Sequence, residues 1–242
     1  MSISVAMASY NGEKYIKEQL LSIINQLSDD DEIIISDDNS SDLTREIITQ
    51  LALSDNRIKL IDGPCDGLIR NFENAILKCK NEYIFLSDQD DIWDNYKVKT
   101  VLSEFNRTNS DLILHNARIL YDDTKDCSEF FFEKRGSKKG VLNNILKNSY
   151  IGCCMAFRSS LKAVILPFPE NIPMHDQWIG LLAEKRGRVT FLDEPLISYR
   201  RHSDNASSET PSSMLTRINW RMNLIYNLIL RDKRDRNGGK NE

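Results

Sequence analysis

Apolar runs and helical patterns take turns through the first half of the chain, and the apolar runs stop at polar residues. ISVAMAS is strand-like and ends at Tyr10-Asn11-Gly12, a turn signal. EKYIKEQLLSIINQL follows, with Ile16, Leu20, Ile23, Ile24 and Leu27 on one helical face. A β-branched run from Glu32 to Ser36 ends in acids, and DLTREIITQLAL behind it is helical, with Asp42 placed as N-cap. RIKLID reads as a third strand and GLIRNFENAILKC as a helix that aligns Leu68, Phe72, Ala75 and Ile76. EYIFLS is a fourth strand and NYKVKTVLSEF the helix after it. Such alternation predicts βαβ units and a mostly parallel sheet. Continuous apolar strands predict a sheet covered on both faces. In sheets of this kind ligands bind beyond the carboxyl ends of the strands. Three strands end in Ser9-Tyr10-Asn11, Ser36-Asp37-Asp38-Asn39 and Ser87-Asp88-Gln89-Asp90-Asp91, so one rim is predicted to gather all three.

The second half is less regular. SDLILHNARILYDD reads as two strand segments, NNILKNSY as a short helix, CCMAF as a strand and HDQWIGLLAEKRG as a helix. VTFLDEPLISYRRH is extended and broken at Pro195. Ser203 to Ser213 is linker-like. Met214 to Leu230 is helical, with Ile218, Met222, Ile225 and Ile229 in register, and Arg231, Lys233, Arg234 and Arg236 follow. The closing NGGKNE is expected to be floppy. The chain thus divides into a main domain over 1–207 and, over 208–242, an amphipathic helix with a basic flexible tail.

A net charge of -4 and a pI near 5.5 argue against nucleic acid as a partner. The five cysteines contain no Cys-x-x-Cys pair and read as reduced thiols, with Cys153 and Cys154 packing as small hydrophobes. No stretch approaches the roughly 18 apolar residues of a membrane span. The start lacks a basic leader and reads as a strand, so a cytoplasmic protein is expected.

Four acids follow Ser87 within seven positions: Asp88, Asp90, Asp91 and Asp94. Asp91 and Asp94 can serve the start of the next helix. Asp88 and Asp90 are left at a strand end, mutually repelling. Such a pair shares a proton or a cation, and Asp88-Gln89-Asp90 is a D-x-D arrangement that can aim hard oxygen ligands at one divalent ion.

VAMASYNGEKYIKEQLLSI, IIISDDNSSD, EYIFLSDQDDIW, HDQW and YRRH resemble the successive motifs of glycosyltransferase family 2, inverting nucleotide-sugar transferases with the GT-A fold. The resemblance runs from about Ser2 to Asn205, and SDQDD looks most like bacterial enzymes of surface-polysaccharide synthesis, rhamnosyltransferase-like members included. It implies a Rossmann-like, mostly parallel central sheet flanked by helices, with a C-terminal helical extension. Ala8 and Tyr10 would lie at the nucleotide. Asp38 would accept a hydrogen bond from the N–H of uracil or thymine, chemistry that suits an ionised carboxylate. Asp88 would meet the ribose or the ion, and Asp90 would bind Mn²⁺ or Mg²⁺ at the diphosphate. Asp176 would be the general base; read from the residues alone it is a helix N-cap, a position that lowers a carboxylate's pKa where a base needs it raised. His202 would complete the ion's shell or be a surface histidine. Arg200 and Arg201 would serve the diphosphate, and Arg70 would meet phosphate or sugar or lie on a solvated face. The implied partners are a UDP- or dTDP-sugar donor and a glycan or lipid-linked acceptor.

For the C-terminal helix two readings stand: docking on the domain, or peripheral contact with the inner face of a membrane through 214–236. G-x-G-x-x-G and P-loop signatures are absent. A sugar nucleotidyltransferase would share the strand-end logic but lacks its Gly-rich basic loop here, and a non-catalytic nucleotide-sugar-binding module would need no base at Asp176.

Overall fold

The computed structural model describes residues 1–122, 124, 126–202 and 213–238, with 234–238 as backbone. The chain runs β1 (Ile3–Ser9), α1 (Ile16–Ile24), β2 (Glu32–Asp37), α2 (Thr44–Ser54), β3 (Ile58–Asp62), α3 (Gly67–Lys78), β4 (Tyr83–Ser87), β5 (Ile92–Trp93) and α4 (Lys97–Thr108). It continues through β6 (Leu112–Tyr121), β7 (Glu129–Phe130), α5 (Phe131–Arg135), α6 (Val141–Leu146), β8 (Met155–Arg158), α7 (Lys162–Ile165), α8 (His175–Arg186), β9 (Val189–Arg201) and α9 (Met214–Gly238).

β1 sits between β2 and β4, parallel to both, and β3 adds in parallel beyond β2. The register sets Ser9 opposite Asp37 and Met7 opposite Ser87, so the polar ends of β1, β2 and β4 reach one edge together. Ile3, Val5, Met7, Ile33, Ile35, Ile84 and Phe85 are fully buried, because helices cover both faces of these strands. Beyond β4 the order continues β8, β6, β9, β5, with β8 antiparallel to both β4 and β6, while β6 and β9 run parallel. The parallel arrangement is thus strongest in the first four strands, where βαβ alternation requires it. Between β6 and β8 the chain makes the short strand β7, the short helices α5 and α6 and turns, and these permit an antiparallel return.

Several local expectations change. SDLILHNARILYDD is one strand, β6, whose pairing with β9 shifts register around Asn116. VTFLDEPLISYRRH is likewise one strand; Pro195, opposite Asn116, marks that shift and does not end the strand. Gly152–Cys154 form a 3-10 turn, and only Met155 onward is strand. Asp42 does not cap α2. Leu43 holds the N-cap position, and Asp42 instead accepts the Thr44 N–H and the Glu13 N–H, so it ties α2 to the loop after β1. Asp91 caps nothing, because α4 starts only at Lys97, and it is Asp94 that accepts the Tyr96 N–H.

α9 extends past Leu230 to Gly238, so the first residues of the expected floppy end are helical. It docks on the domain: Leu224 and Leu228 are buried, and the Arg231 guanidinium donates to the carbonyls of Val164, Leu166 and Pro167 beneath the Trp178 ring. Lys185 and Arg186 of α8 pair with Asp232. The linker and the boundary at 207/208 lie outside the described residues.

Candidate active site

Three turns at the carboxyl edge make the floor. After β1, β2 and β3 the chain reverses through residues of positive φ, Asn11 (47°), Asn39 (65°) and Cys65 (57°), a conformation Asn tolerates well. The turns are tied together: the Asn11 N–H donates to Ser40 Oγ, and the Ser41 N–H to Asn11 Oδ1. The two acids of the β2 end divide their work. Asp37 is buried and accepts from Ser9 Oγ, Ser40 Oγ, the Ser40 N–H and Arg45. Asp38 is half-buried and, among the described residues, accepts the N–H groups of Cys65 (2.6 Å) and Gly67 (3.0 Å), one on each oxygen, so each oxygen keeps a lone pair for a further donor. Ala8 is buried in β1, and Tyr10 is 58% exposed on the rim.

Gln89, unassigned in the sequence, staples the acid loop after β4 to the turn after β1. Its Oε1 accepts the Tyr10 N–H (2.9 Å) and its Nε2 donates to the Tyr10 carbonyl (3.0 Å). Gly12 makes room, since a Cβ there would sit 2.3 Å from Gln89 Oε1. Gly12→Ala is therefore expected to push the amide off Tyr10 and raise several-fold the KM for the nucleotide-sugar donor that the resemblance implies, with little change in melting temperature. Combined with Gln89→Ala it should add almost nothing, because both break the same contact; steady-state kinetics of the four forms check this.

The acids after β4 group differently from the expected Asp88–Asp90 pair. Ligand atoms of Asp88, Asp91 and Cys153 lie within 4.8 Å of one another, while Asp90 Oδ2 is 2.9 Å from His202 Nε2. A tight turn brings the first and fourth residues together and sends the third elsewhere. His202 is not a surface residue: its ring stacks on Tyr15 at 4.7 Å, and its side chain is only 9% exposed. Arg200 is not open to a diphosphate. It is buried, its N–H donates to Asp91 Oδ1, its Nε to the Asp90 carbonyl, and its other nitrogens to Asp122 and Glu18. It therefore holds the acid loop in place. Arg201 lies over Tyr199. Arg70 is likewise turned inward, to Glu73 and the Phe168 carbonyl.

Burial first, then the charges of Asp91, Asp90 and Asp176, hold the Asp88 carboxyl well above the usual carboxylate range, although part of its surface opens to the rim. Burial and Asp90 push Asp91 up as well. One oxygen of Asp91, Oδ2, is buried with no hydrogen bond among the described residues. Beneath the cluster Lys97 is fully buried, donating to the Cys153 carbonyl (2.7 Å) with its Nζ 3.9 Å from the Trp93 ring centroid. Burial lowers its pKa to about 8. A lysine at the first position of a helix opposes the macrodipole, and that was the one sequence signal that could have marked it. Burial pushes the Cys153 thiol well above its ordinary range, and the carboxylate oxygens are the hard ligands of the group. An orphaned carboxylate oxygen, facing acids and a histidine beside Asp90 fit a divalent cation.

Asp176, second residue of α8, is 8% exposed. Its Oδ1 accepts the Gln177 N–H and Asn148 Nδ2 (3.2 Å). Burial outweighs these bonds and pushes its pKa up to about 7. The opposing effects of helix start and enclosure are thereby decided in favour of enclosure. Next to it His175 stacks on Phe72 at 4.1 Å, and burial lowers its pKa to about 3, so it is a neutral packing group.

A mixed sheet whose first strands end in an acid rim, with a buried carboxyl electrostatically linked to it, is that of the GT-A class of fold. TarS of Staphylococcus aureus, solved in complex with UDP-GlcNAc, superposes with a TM-score of 0.69 at 21% identity over 88% of this chain and 62% of that one. The mannosyltransferase PcManGT from Pyrobaculum calidifontis, solved with GDP-Man and Mn²⁺, gives 0.59 at 17% identity over 80% and 54%. Within that class the chain belongs to glycosyl transferase family 2, whose model matches residues 4–165. It is 33% identical to the dTDP-rhamnosyl transferase RfbG of Shigella flexneri over 82% of this chain and 72% of that one. To WfgD of Escherichia coli, named a UDP-Glc:alpha-D-GlcNAc-diphosphoundecaprenol beta-1,3-glucosyltransferase, it is 29% identical over 75% and 70%.

Proposed function

We propose that the chain is an inverting glycosyltransferase that moves a sugar from a UDP- or dTDP-sugar to a hydroxyl of a glycan or lipid-linked acceptor in bacterial surface-polysaccharide synthesis, at the inner face of a membrane. The observation that carries the reading is Asp176: a buried carboxyl with a pKa near neutrality whose charge reaches Asp88 of the acid rim. A group so poised can take a proton at working pH.

In this reading Tyr10 and Ala8 line the base, and Asp38 accepts the imide N–H of uracil or thymine with a free lone pair. Asp90 and His202, with the Asp88–Asp91 pair beside them, would hold Mn²⁺ or Mg²⁺. When bound, the cation would supply positive charge against the leaving diphosphate. Asp176 takes the proton from the acceptor hydroxyl, whose oxygen forms the new bond to the anomeric carbon. The bond to the diphosphate breaks with its electron pair leaving on the nucleoside diphosphate. Attack from the opposite face inverts the configuration, through an oxocarbenium-like state. Arg200 serves by holding the Asp90–Asp91 loop, and Arg70 by fixing the segment at Phe168.

A thermal-shift comparison of UDP, dTDP, GDP and ADP, each with and without Mn²⁺ or Mg²⁺, tests the donor assignment. UDP or dTDP with cation is expected to stabilise by about 2.7 kcal/mol at a hundred times Kd. Equal shifts with all four nucleotides, or none, would remove the pyrimidine reading of Asp38.

A further inference from the structure

α9 presents two apolar faces, and the domain covers only one. Opposite Leu224 and Leu228, the side chains of Leu215, Ile218, Met222, Ile225 and Ile229 are all at least 40% exposed, spaced three and four apart along a single stripe. α6 packs beside α9, with Arg221 donating to the Leu146 carbonyl (2.6 Å), and it adds Leu142 and Leu146, exposed by 77% and 63%. The two segments that build this surface are themselves basic, with Glu133, Glu184 and Asp232 only at their borders. Residues 134–147 carry five basic side chains and no acid, and residues 213–231 carry three and no acid, in a chain with 32 basic and 36 acidic residues overall. Lys138, Lys139, Lys147 and Arg217 are exposed.

The basic segment also leads to the base. Arg135 donates to the Asn148 carbonyl (2.8 Å), and Asn148 Nδ2 donates to Asp176 Oδ1.

From this juxtaposition we propose that the joint α6–α9 face is a docking surface for an anionic lipid bilayer, with the apolar stripe entering the headgroup boundary and the lysines meeting lipid phosphates. The proposal rests on the reading of Asp176 as the base that meets the acceptor; given that reading, docking brings a lipid-borne acceptor's polar end beside Asp176. An apolar stripe bordered by cations suits such a surface. A second copy of the chain suits it less, because two such faces would set like charges against each other.

Flotation of the full chain with vesicles of equal parts phosphatidylglycerol and phosphatidylcholine should carry the protein, and pure phosphatidylcholine vesicles should leave most of it behind. Replacing Lys138 and Lys139 together by Ala should weaken binding about 25-fold, roughly fivefold per lysine. Ile218→Ser with Ile225→Ser should weaken it by about tenfold or more, with donor hydrolysis unchanged. Equal flotation on both vesicle types, or binding indifferent to both variants, overturns the proposal. So does light scattering that finds a dimer which the isoleucine variant turns into monomer, with no vesicle binding in either form. Vesicle binding by a chain that turns over no donor would remove the transferase reading and leave the surface standing; donor turnover without flotation would do the reverse.

Discussion

Asp176→Asn is expected to cut sugar transfer by a factor of about 10²–10⁴, the usual contribution of a positioned general base, and at the same time to raise the melting temperature in mildly alkaline buffer. The two effects share one cause. Burial lifts the carboxyl from its ordinary 3.8 to about 7, so the folded protein holds a proton there that the unfolded chain releases. Between those values the native state binds more protons, and stability falls as pH rises. The stabilisation is complete below the unfolded value and gone once pH passes the folded one. The cost of ionising Asp176 in the fold is on the order of a few kcal/mol, and asparagine, never charged, escapes it while keeping an oxygen for Gln177 and Asn148. In the wild type kcat/KM should climb with pH to a half-maximum near neutrality, and the variant should lose that limb. A variant that transfers sugar at the wild-type rate would require another base.

The second large effect concerns Asp90. Asp90→Asn should lower transfer by about 10²–10³ and abolish the cation-dependent part of the nucleotide thermal shift, since removing one carboxylate charge from a hard-oxygen site forfeits several kcal/mol of Lewis-acid stabilisation. Chelation of the wild type should reproduce the loss, and Mn²⁺ or Mg²⁺ should restore it. His202→Ala should weaken cation affinity by at least about 10–100-fold, the loss seen even for an outer-shell partner, because Tyr15 and Asp90 hold the ring in one place. Full activity in the presence of chelator would eliminate the cation from the mechanism.

The rim was legible because its signals are local. A run such as Tyr83–Ser87 specifies a strand by its apolar β-forming residues, and the acids after it specify where the strand stops. The helix at His175 was legible from its own composition, and so was Asp176's place at its start. The β6–β9 pairing was not, because a register shift at Asn116 and Pro195 depends on a partner more than seventy residues away. The partners of Arg200 and Arg70 were hidden for the same reason. A basic side chain near a phosphate-binding motif looks available until the carboxylates that claim it are in place, Asp122 and Glu18 for Arg200 and Glu73 for Arg70.

By itself, then, the sequence determined the alternation of strands and helices, the common edge where three strands end, and the residue types gathered there; periodicity and turn chemistry act over a few residues and need no distant partner. Only the tertiary structure decided how those residues work together. It set Asp88 with Asp91 and Asp90 with His202, slid Lys97 beneath them, and enclosed Asp176 enough to bring its pKa near neutrality. Enclosure and the distances between charges are made by packing elements far apart in the chain, and the electrostatics of a site follow from those two quantities.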